Sequence, residues 1–240
     1  MGRNNWFQFK QFKVIQEQTA MKVGTDGVLL GSWVDVSEAE TILDIGAGTG
    51  IISIMLAQRS KINTKITGIE IENNAADEAS LNATNSPWSE KITILNKSLQ
   101  QFQQHCTEKF DLIVSNPPFF SNSQKSKCEY LAMAKHNHLL PLTELVEKSV
   151  KLMSSVGKLA VILPVNEAKK IIQLAKKEGL YLLRETEVRP NGLKPPHRYL
   201  LEFGKNPGTA EKEILLIHSS ESNSYTEKYK FLTRDFYLNF

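Results

Sequence analysis

Eight short runs of β-branched and aliphatic residues recur along the chain, most of them separated by helical windows. The runs are Thr41–Ile45, Lys65–Ile71, Lys91–Leu95, Phe110–Val114, Lys158–Leu163, Tyr181–Val188, Arg198–Phe203 and Glu213–Ile217. The helical windows lie near 50–59, 74–85, 142–154 and 166–178, the last behind Pro164 with Asn166 as its cap. Strand and helix in turn predict an α/β fold: a doubly wound, mostly parallel sheet with helices on both faces and an antiparallel strand at one edge. Ligands of such sheets bind beyond the carboxyl ends of the strands, at the switch in strand order.

With 240 residues, 41% of them hydrophobic and 23% charged, one large domain with a full core is expected, and disorder or a fibrous fold is excluded. The longest apolar run, Leu159 to Val165, is far below the ~20 residues of a membrane span. The start, Met1-Gly2-Arg3-Asn4-Asn5, has no signal-peptide apolar region, so a cytoplasmic protein is expected. Cys106 and Cys128 have neither metal-ligand nor disulfide spacing. The net charge of +3 hides an asymmetry: residues 1–120 hold 10 Lys+Arg against 13 Asp+Glu, and residues 121–240 hold 19 against 13. A basic second half suits an anionic partner such as nucleic acid, although solvated surfaces vary as much.

Two segments fall outside the alternation. Residues 1–40 open with Phe7-Gln8-Phe9-Lys10-Gln11-Phe12-Lys13-Val14, an N-terminal hairpin or arm. They continue through Met21-Lys22-Val23-Gly24-Thr25-Asp26-Gly27, a glycine-rich turn leading into a short helix. The domain reading is therefore 1–40 as an arm or cap packed on a core of 41–240. Residues 119–141 form a long polar connection, and loops of that length in a compact domain are usually functional or disordered.

Directly after the first core strand comes Asp44-Ile45-Gly46-Ala47-Gly48-Thr49-Gly50, with helix formers following at once. Glycines here allow positive φ and let a ligand approach the backbone at the positive end of a helix dipole. Ile51 stands where a dinucleotide fingerprint has its third glycine, which disfavours NAD. Glu70, about 20 residues on, ends the next strand where it can accept hydrogen bonds from ribose hydroxyls, and Asp44 can face a cationic ligand or hold the turn. Glu72 reads as a carboxylate opening the next helix. This pattern resembles the class I S-adenosylmethionine-dependent methyltransferases, whose fold is Rossmann-like. The resemblance implies S-adenosyl-L-methionine as cofactor, with Asp44, Gly46, Gly48 and Gly50 around its methionine part, Glu70 on the ribose, and Ser98 and Leu99 at the adenine. That family often has Asp where this chain has Ser98.

The fourth strand runs into Asn116-Pro117-Pro118-Phe119. Two prolines fix φ and leave carbonyls without N–H donors. An amide oxygen and a carbonyl held together can accept both hydrogens of an NH2 group, aiming its lone pair at a methyl carbon. Phe119 offers a face on which a base can stack. The tetrapeptide resembles the motif of the amino-methylating branch, which modifies exocyclic nitrogens of bases or the glutamine amide; this implies Asn116, Pro117 and Phe119 as the catalytic set, with Asn116 also touching the cofactor.

Phe9-Lys10-Gln11-Phe12, the segment Met21–Trp33 and the ending Leu232-Thr233-Arg234-Asp235-Phe236-Tyr237 resemble the bacterial tRNA1(Val) (adenine-37-N6)-methyltransferases. The resemblance spans nearly the whole chain and implies methylation of an adenine beside the anticodon. It also implies that Lys22, Gly24, Thr25, Asp26 and Gly27 cap the methionine end of the cofactor. Where that family usually has Ala-Arg-His, this chain has Ala134-Lys135-His136, which keeps the charge and loses the bidentate fork. Lys125, Lys127, Lys135, Arg189, Lys194, His197 and Arg198 are the expected RNA-facing residues, holding phosphates with salt-sensitive affinity. His136 and His138 have no third ligand nearby, so no metal is expected. The rival readings are a protein-glutamine methyltransferase, an amino-methylase of rRNA or DNA, and a non-catalytic RNA-binding module. Oligomeric state stays open, with a monomer favoured.

Overall fold

The computed structural model describes residues 4–118, 140–222 and 224–240. A two-stranded hairpin, β1 (Trp6–Gln8) and β2 (Lys13–Ile15), precedes the helix α1 (Thr25–Trp33). There follow β3 (Thr41–Ile45), α2 (Ile51–Arg59), β4 (Lys65–Glu70), α3 (Asn73–Thr84), β5 (Ile92–Asn96), α4 (Leu99–His105) and β6 (Phe110–Ser115). The second half of the chain supplies α5 (Leu142–Leu152), β7 (Met153–Leu163), α6 (Val165–Lys177), β8 (Tyr181–Arg189), β9 (Arg198–Gly204), β10 (Glu211–Leu216) and α7 (Glu227–Thr233).

The main sheet has eight strands in the order β10-β8-β9-β7-β6-β3-β4-β5. From β5 to β7 every pairing is parallel. β9 runs against both β7 and β8, and β10 is parallel to β8. The antiparallel element expected at this edge is thus β9, lying two strands in from the rim. The chain winds outward through β3, β4 and β5, then returns to place β6 beside β3, which puts the switch in strand order between Ile45 and Ser115.

Alternation along each strand divides the core into two layers. Ile42, Ile66, Leu112, Val114 and Ile162 face one layer with α1, α2, the hairpin residues Phe9, Phe12 and Val14, and the C-terminal Tyr229 and Phe236. Leu43, Ile45, Ile69, Ile113, Val161 and Leu163 face the other, covered by α4, α5 and α6. Both ends of the chain therefore pack on one face, and Lys10 N–H donates to the Phe236 carbonyl across them at 2.8 Å.

One local expectation is corrected. The cap of α6 is Pro164, without a side-chain hydrogen bond, and Asn166 lies inside the first turn. Proline has no N–H to satisfy and its fixed φ suits a helix start, so the cap lies two residues earlier than expected. Glu72 is the residue before α3, as its position in sequence implies. No helix among the described residues is long and apolar enough to cross a membrane.

Candidate active site at the carboxyl ends of the strands

The ends of β3, β4, β5 and β6 form one rim, with Ile45 beside Ile69 and Ser115, and Glu70 beside Asn96. Because β9 runs the other way, its first residues reach the same rim: Tyr199 pairs with Leu163 at the end of β7, and Arg198 with Val188 near the end of β8.

The turn after β3 has Gly46, Gly48 and Gly50 at φ of 76°, 56° and 76°, the left-handed region that glycine tolerates without strain. The N–H groups of Gly46 and Ala47 donate to the Ile69 carbonyl at 2.9 and 3.0 Å, fixing the turn over β4. A Cβ on Gly46 would meet nothing within 4 Å, so the turn presents open space above its backbone. At Gly50 a Cβ would come within 3.3 Å of Ala79, so glycine also permits close approach of α3.

Asp44 is fully buried beneath this turn. Its Oδ2 accepts from Ser53 N–H at 3.1 Å and Ser53 Oγ–H at 2.7 Å, whereas Oδ1 is buried without a hydrogen-bond partner among the described residues. Burial raises its carboxyl pKa, the two Ser53 bonds pull it down and nearby Glu70 raises it, with a balance of about 6. Glu70 closes the other side: Oε2 accepts from Gly48 N–H at 2.9 Å and Oε1 from Glu72 N–H at 3.0 Å. Each oxygen keeps capacity for a second donor. Asn96 Nδ2 donates to the carbonyls of Glu70 and Ile71, tying β5 to the end of β4.

Across the switch, Ser115 Oγ donates to the Ile45 carbonyl at 2.8 Å, locking the end of β6 to that of β3. Asn116 follows with its Oδ1 buried and unpartnered among the described residues, and Pro117 behind it is buried. The structure thus brings Asp44, Gly46, Gly48, Gly50, Glu70 and Asn116 to one rim. Ser98 lies beyond β5 as the cap of α4, in a reciprocal capping box with Gln101. Its hydroxyl oxygen accepts from Gln101 N–H and its own N–H donates to Gln101 Oε1, leaving the hydroxyl hydrogen for a ligand. Leu99 is buried in the core layer covered by α4, α5 and α6. Phe119, Lys125, Lys127, Lys135, His136 and His138 lie outside the described residues.

Two expected RNA contacts are placed differently. Arg198 Nε donates to Asp26 Oδ2 at 2.7 Å and Nη1 to the His197 carbonyl at 2.8 Å, so Asp26 and Arg198 form an ion pair between the start of α1 and the start of β9. Arg189 pairs with Glu187 at 2.5 Å, two residues away on β8. Their charges are already matched by carboxylates, which reduces what each offers a phosphate. Lys194 stays exposed in a turn held by Asn191 Oδ1. Burial, and then the Arg198 charge, holds the His197 imidazole below its ordinary pKa. Lys22 is half-buried, and Gly24 and Thr25 are exposed.

Sequence reasoning missed two buried polar residues of α3. Glu78 Oε2 accepts from the N–H groups of Glu17 and Gln18 at 2.6 and 2.8 Å, and Oε1 accepts from Thr19 N–H and its hydroxyl. Asn82 Oδ1 accepts from Ile15 N–H at 2.8 Å, while Nδ2 donates to the carbonyls of Ile15 and Thr49 at 2.8 and 2.9 Å. Together they moor the N-terminal segment against the glycine turn.

Comparison with known proteins gives this rim its context. Residues 18–175 match the methyltransferase small domain family. Proteins named tRNA1(Val) (adenine(37)-N6)-methyltransferase from Trichodesmium erythraeum and Histophilus somni are 44% and 39% identical, with all of both chains covered in each case. One of the same name from Flavobacterium psychrophilum is 41% identical over 97% of this chain and 99% of its own. The chain belongs to this tRNA (adenine-N6)-methyltransferase family. Among solved structures, an Agrobacterium tumefaciens protein described as an O-methyltransferase shares the fold, with a TM-score of 0.67 and 20% identity over 88% of this chain and 96% of that one. A ribosomal protein L11 methylase from Lactobacillus delbrueckii gives 0.56 and 14%, over 84% and 100%. The residues of this methyltransferase fit S-adenosyl-L-methionine: open space above Gly46, an unpartnered buried carboxylate oxygen on Asp44 for a cationic ligand, and spare acceptor capacity on Glu70 for hydroxyls.

Proposed function

We propose that the chain transfers the methyl group of S-adenosyl-L-methionine to the exocyclic N6 of an adenine in tRNA, adenine 37 of tRNA1(Val), in the cytoplasm and as a monomer. The observation that carries this reading is Asn116 Oδ1, a buried acceptor without a partner among the described residues, one residue beyond the lock between β6 and β3. Bound at the glycine turn, the cofactor supplies an electrophilic methyl carbon on a cationic sulfur. Asp44 faces the cationic end through Oδ1, Gly46, Gly48 and Gly50 give it backbone access, and Glu70 accepts from the ribose. Lys22, Thr25 and Asp26 cap the methionine part, and Ser98 with Leu99 borders the adenine.

On the acceptor side, Asn116 Oδ1 and a proline-flanked carbonyl accept hydrogen bonds from the two hydrogens of the adenine amine, which turns the nitrogen lone pair out of conjugation and toward the methyl carbon; one of those protons leaves to solvent after transfer. Pro117 keeps that arrangement rigid and Phe119 stacks on the base. Residues 1–40 serve as arm and cap to a methyltransferase domain of 41–240. Lys125, Lys127, Lys135 and Lys194 hold phosphates, with Arg189 and Arg198 contributing through their carboxylate-paired guanidinium groups.

The test is incubation of the purified chain with labelled S-adenosylmethionine and separate pools of unmodified tRNA, rRNA and protein, followed by digestion of labelled RNA to nucleosides. N6-methyladenosine from tRNA is the expected product. Label confined to protein would move the assignment to the glutamine amide, and cofactor binding without label in any pool would refute transfer.

A further inference from the structure

The N-terminal hairpin and the segment after it line an open groove of about 540 Å³, of which the site described above uses only Lys22. Its lining includes Asn4, Trp6, Phe7, Gln16, Met21 and Lys22. The volume falls in the range of small-molecule sites. The groove is built rather than incidental: Gln16, only 6% exposed, donates through Nε2 to the Asn4 carbonyl and accepts at Oε1 from Val23 N–H, both at 2.8 Å, so one buried amide holds both walls.

Three features define its chemistry. Trp6 is 45% exposed and Met21 48% exposed, so a flat aromatic face and a soft apolar side chain meet solvent side by side. The Lys13 ammonium lies over one face of the Trp6 ring, 4.5 Å from its centroid, which leaves the other face for a planar group, and Lys22 lines the groove itself. Among the described residues, no carboxylate lines it. A planar group stacked on Trp6 with an anion beside Lys13 and Lys22 is a nucleotide. The groove also runs into Lys22 and Val23, which lead to α1 and the Asp26–Arg198 pair at the reaction rim.

We infer that this groove is a second RNA subsite, which stacks an unpaired base of the acceptor near the target adenine on Trp6 and holds its phosphate with Lys13 and Lys22. The inference rests on the reading of the chain as a tRNA methyltransferase. Its physical rationale is that extruding an adenine costs stacking on its neighbours, and an aromatic platform beside the rim restores part of that stacking.

The experiment measures methyl transfer to unmodified tRNA, and tryptophan emission during tRNA titration, for the full chain and for Trp6→Phe and Trp6→Ala. Trp6→Ala raises KM for tRNA about fivefold or more, with kcat and S-adenosylmethionine affinity unchanged, and Trp6→Phe stays within about twofold. Emission of the wild type is quenched by tRNA, and that quenching is lost in Trp6→Phe. Equal KM for all three proteins, or identical quenching with and without Trp6, overturns the groove while leaving the methylation reading intact. Trp6-dependent quenching in a protein that transfers no methyl to tRNA supports the groove and overturns the reaction. Should Trp6→Ala fail to fold, the quenching comparison with Trp6→Phe decides by itself.

Discussion

Replacing Asp44 by asparagine separates the cost of a buried charge from its use. Wild-type Asp44 is fully buried, hydrogen-bonded through one oxygen to Ser53 and unpartnered at the other among the described residues, and its pKa is pushed from 3.8 up to about 6. Below pH 3.8 both folded and unfolded chains carry the proton, so the group does not affect stability. Between 3.8 and about 6 the folded protein holds a proton that the unfolded chain has released, and stability falls as pH rises. Above about 6 the loss is complete, about 3 kcal/mol at roughly 1.36 kcal/mol per unit. The amide of Asp44→Asn does not titrate; its oxygen can keep the Ser53 bonds, while its NH2 replaces the unpartnered oxygen at a cost of about 1 kcal/mol.

The ligand-free variant should therefore be about 2 kcal/mol more stable than wild type at pH ~8 and no more stable at pH ~4. At roughly 2–4 °C per kcal/mol for a chain of this size, the melting midpoint should rise by about 4–8 °C at the higher pH. Thermal melts at both pH values without cofactor read this directly. Calorimetry at the higher pH should show weaker S-adenosylmethionine binding, because the charge facing the cationic end is gone. Parallel stability–pH curves for the two proteins would refute the burial argument, and unchanged affinity would refute the role at the cofactor.

Three further substitutions probe the rest of the rim. Asn116→Ala should lower kcat by about 10²–10³-fold with the S-adenosylmethionine Kd within about twofold, measured by single turnover and calorimetry; equal loss of both would reassign the residue. Glu70→Ala should weaken cofactor binding by about 1–3 kcal/mol, since it removes the ribose acceptor and frees the Gly48 N–H it holds; an unchanged calorimetric affinity would exclude the ribose role. Asn82→Ala removes three hydrogen bonds between α3, β2 and the glycine turn, and should cost about 2–4 kcal/mol in urea unfolding; an unchanged midpoint would mean water replaces them.

The core strands are legible because burial on both faces imposes continuous aliphatic runs, and Thr41–Ile45 is found with the bounds read from sequence. The start of β7 is not: the helical window near 142–154 runs past Leu152, where α5 ends, and the strand read from Lys158 begins at Met153, with an irregularity in its pairing to β6 before Lys158. α4 escapes because Leu99-Gln100-Gln101-Phe102-Gln103-Gln104-His105 has only two apolar positions and is set by its capping box. At the site, Asp44, Glu70 and Asn116 stand out because each lies at the end of a strand. Asp26 and Arg198 cannot be paired from sequence, being 172 positions apart. Glu78 and Asn82 read as ordinary solvated helix positions, and only the chain folding back over α3 turns them into buried anchors.

Those anchors bear on how the charges are arranged. Asp44, Glu70 and Glu78 are all buried, and their hydrogen bonds come from backbone N–H groups and hydroxyls: Ser53 for the first, Gly48 and Glu72 for the second, residues 17–19 for the third. Backbone dipoles stabilise an anion without cancelling its net charge, as a lysine or arginine would. The rim on the glycine side is therefore left negative, which favours a cationic ligand, while Lys13 and Lys194 lie toward the N-terminal groove and the β8–β9 turn. One surface can then hold a cationic cofactor and an anionic polymer side by side only if the two charge fields are kept apart. The Asp26–Arg198 pair stands at their boundary, and as a neutral couple it joins the two sides without adding charge to either.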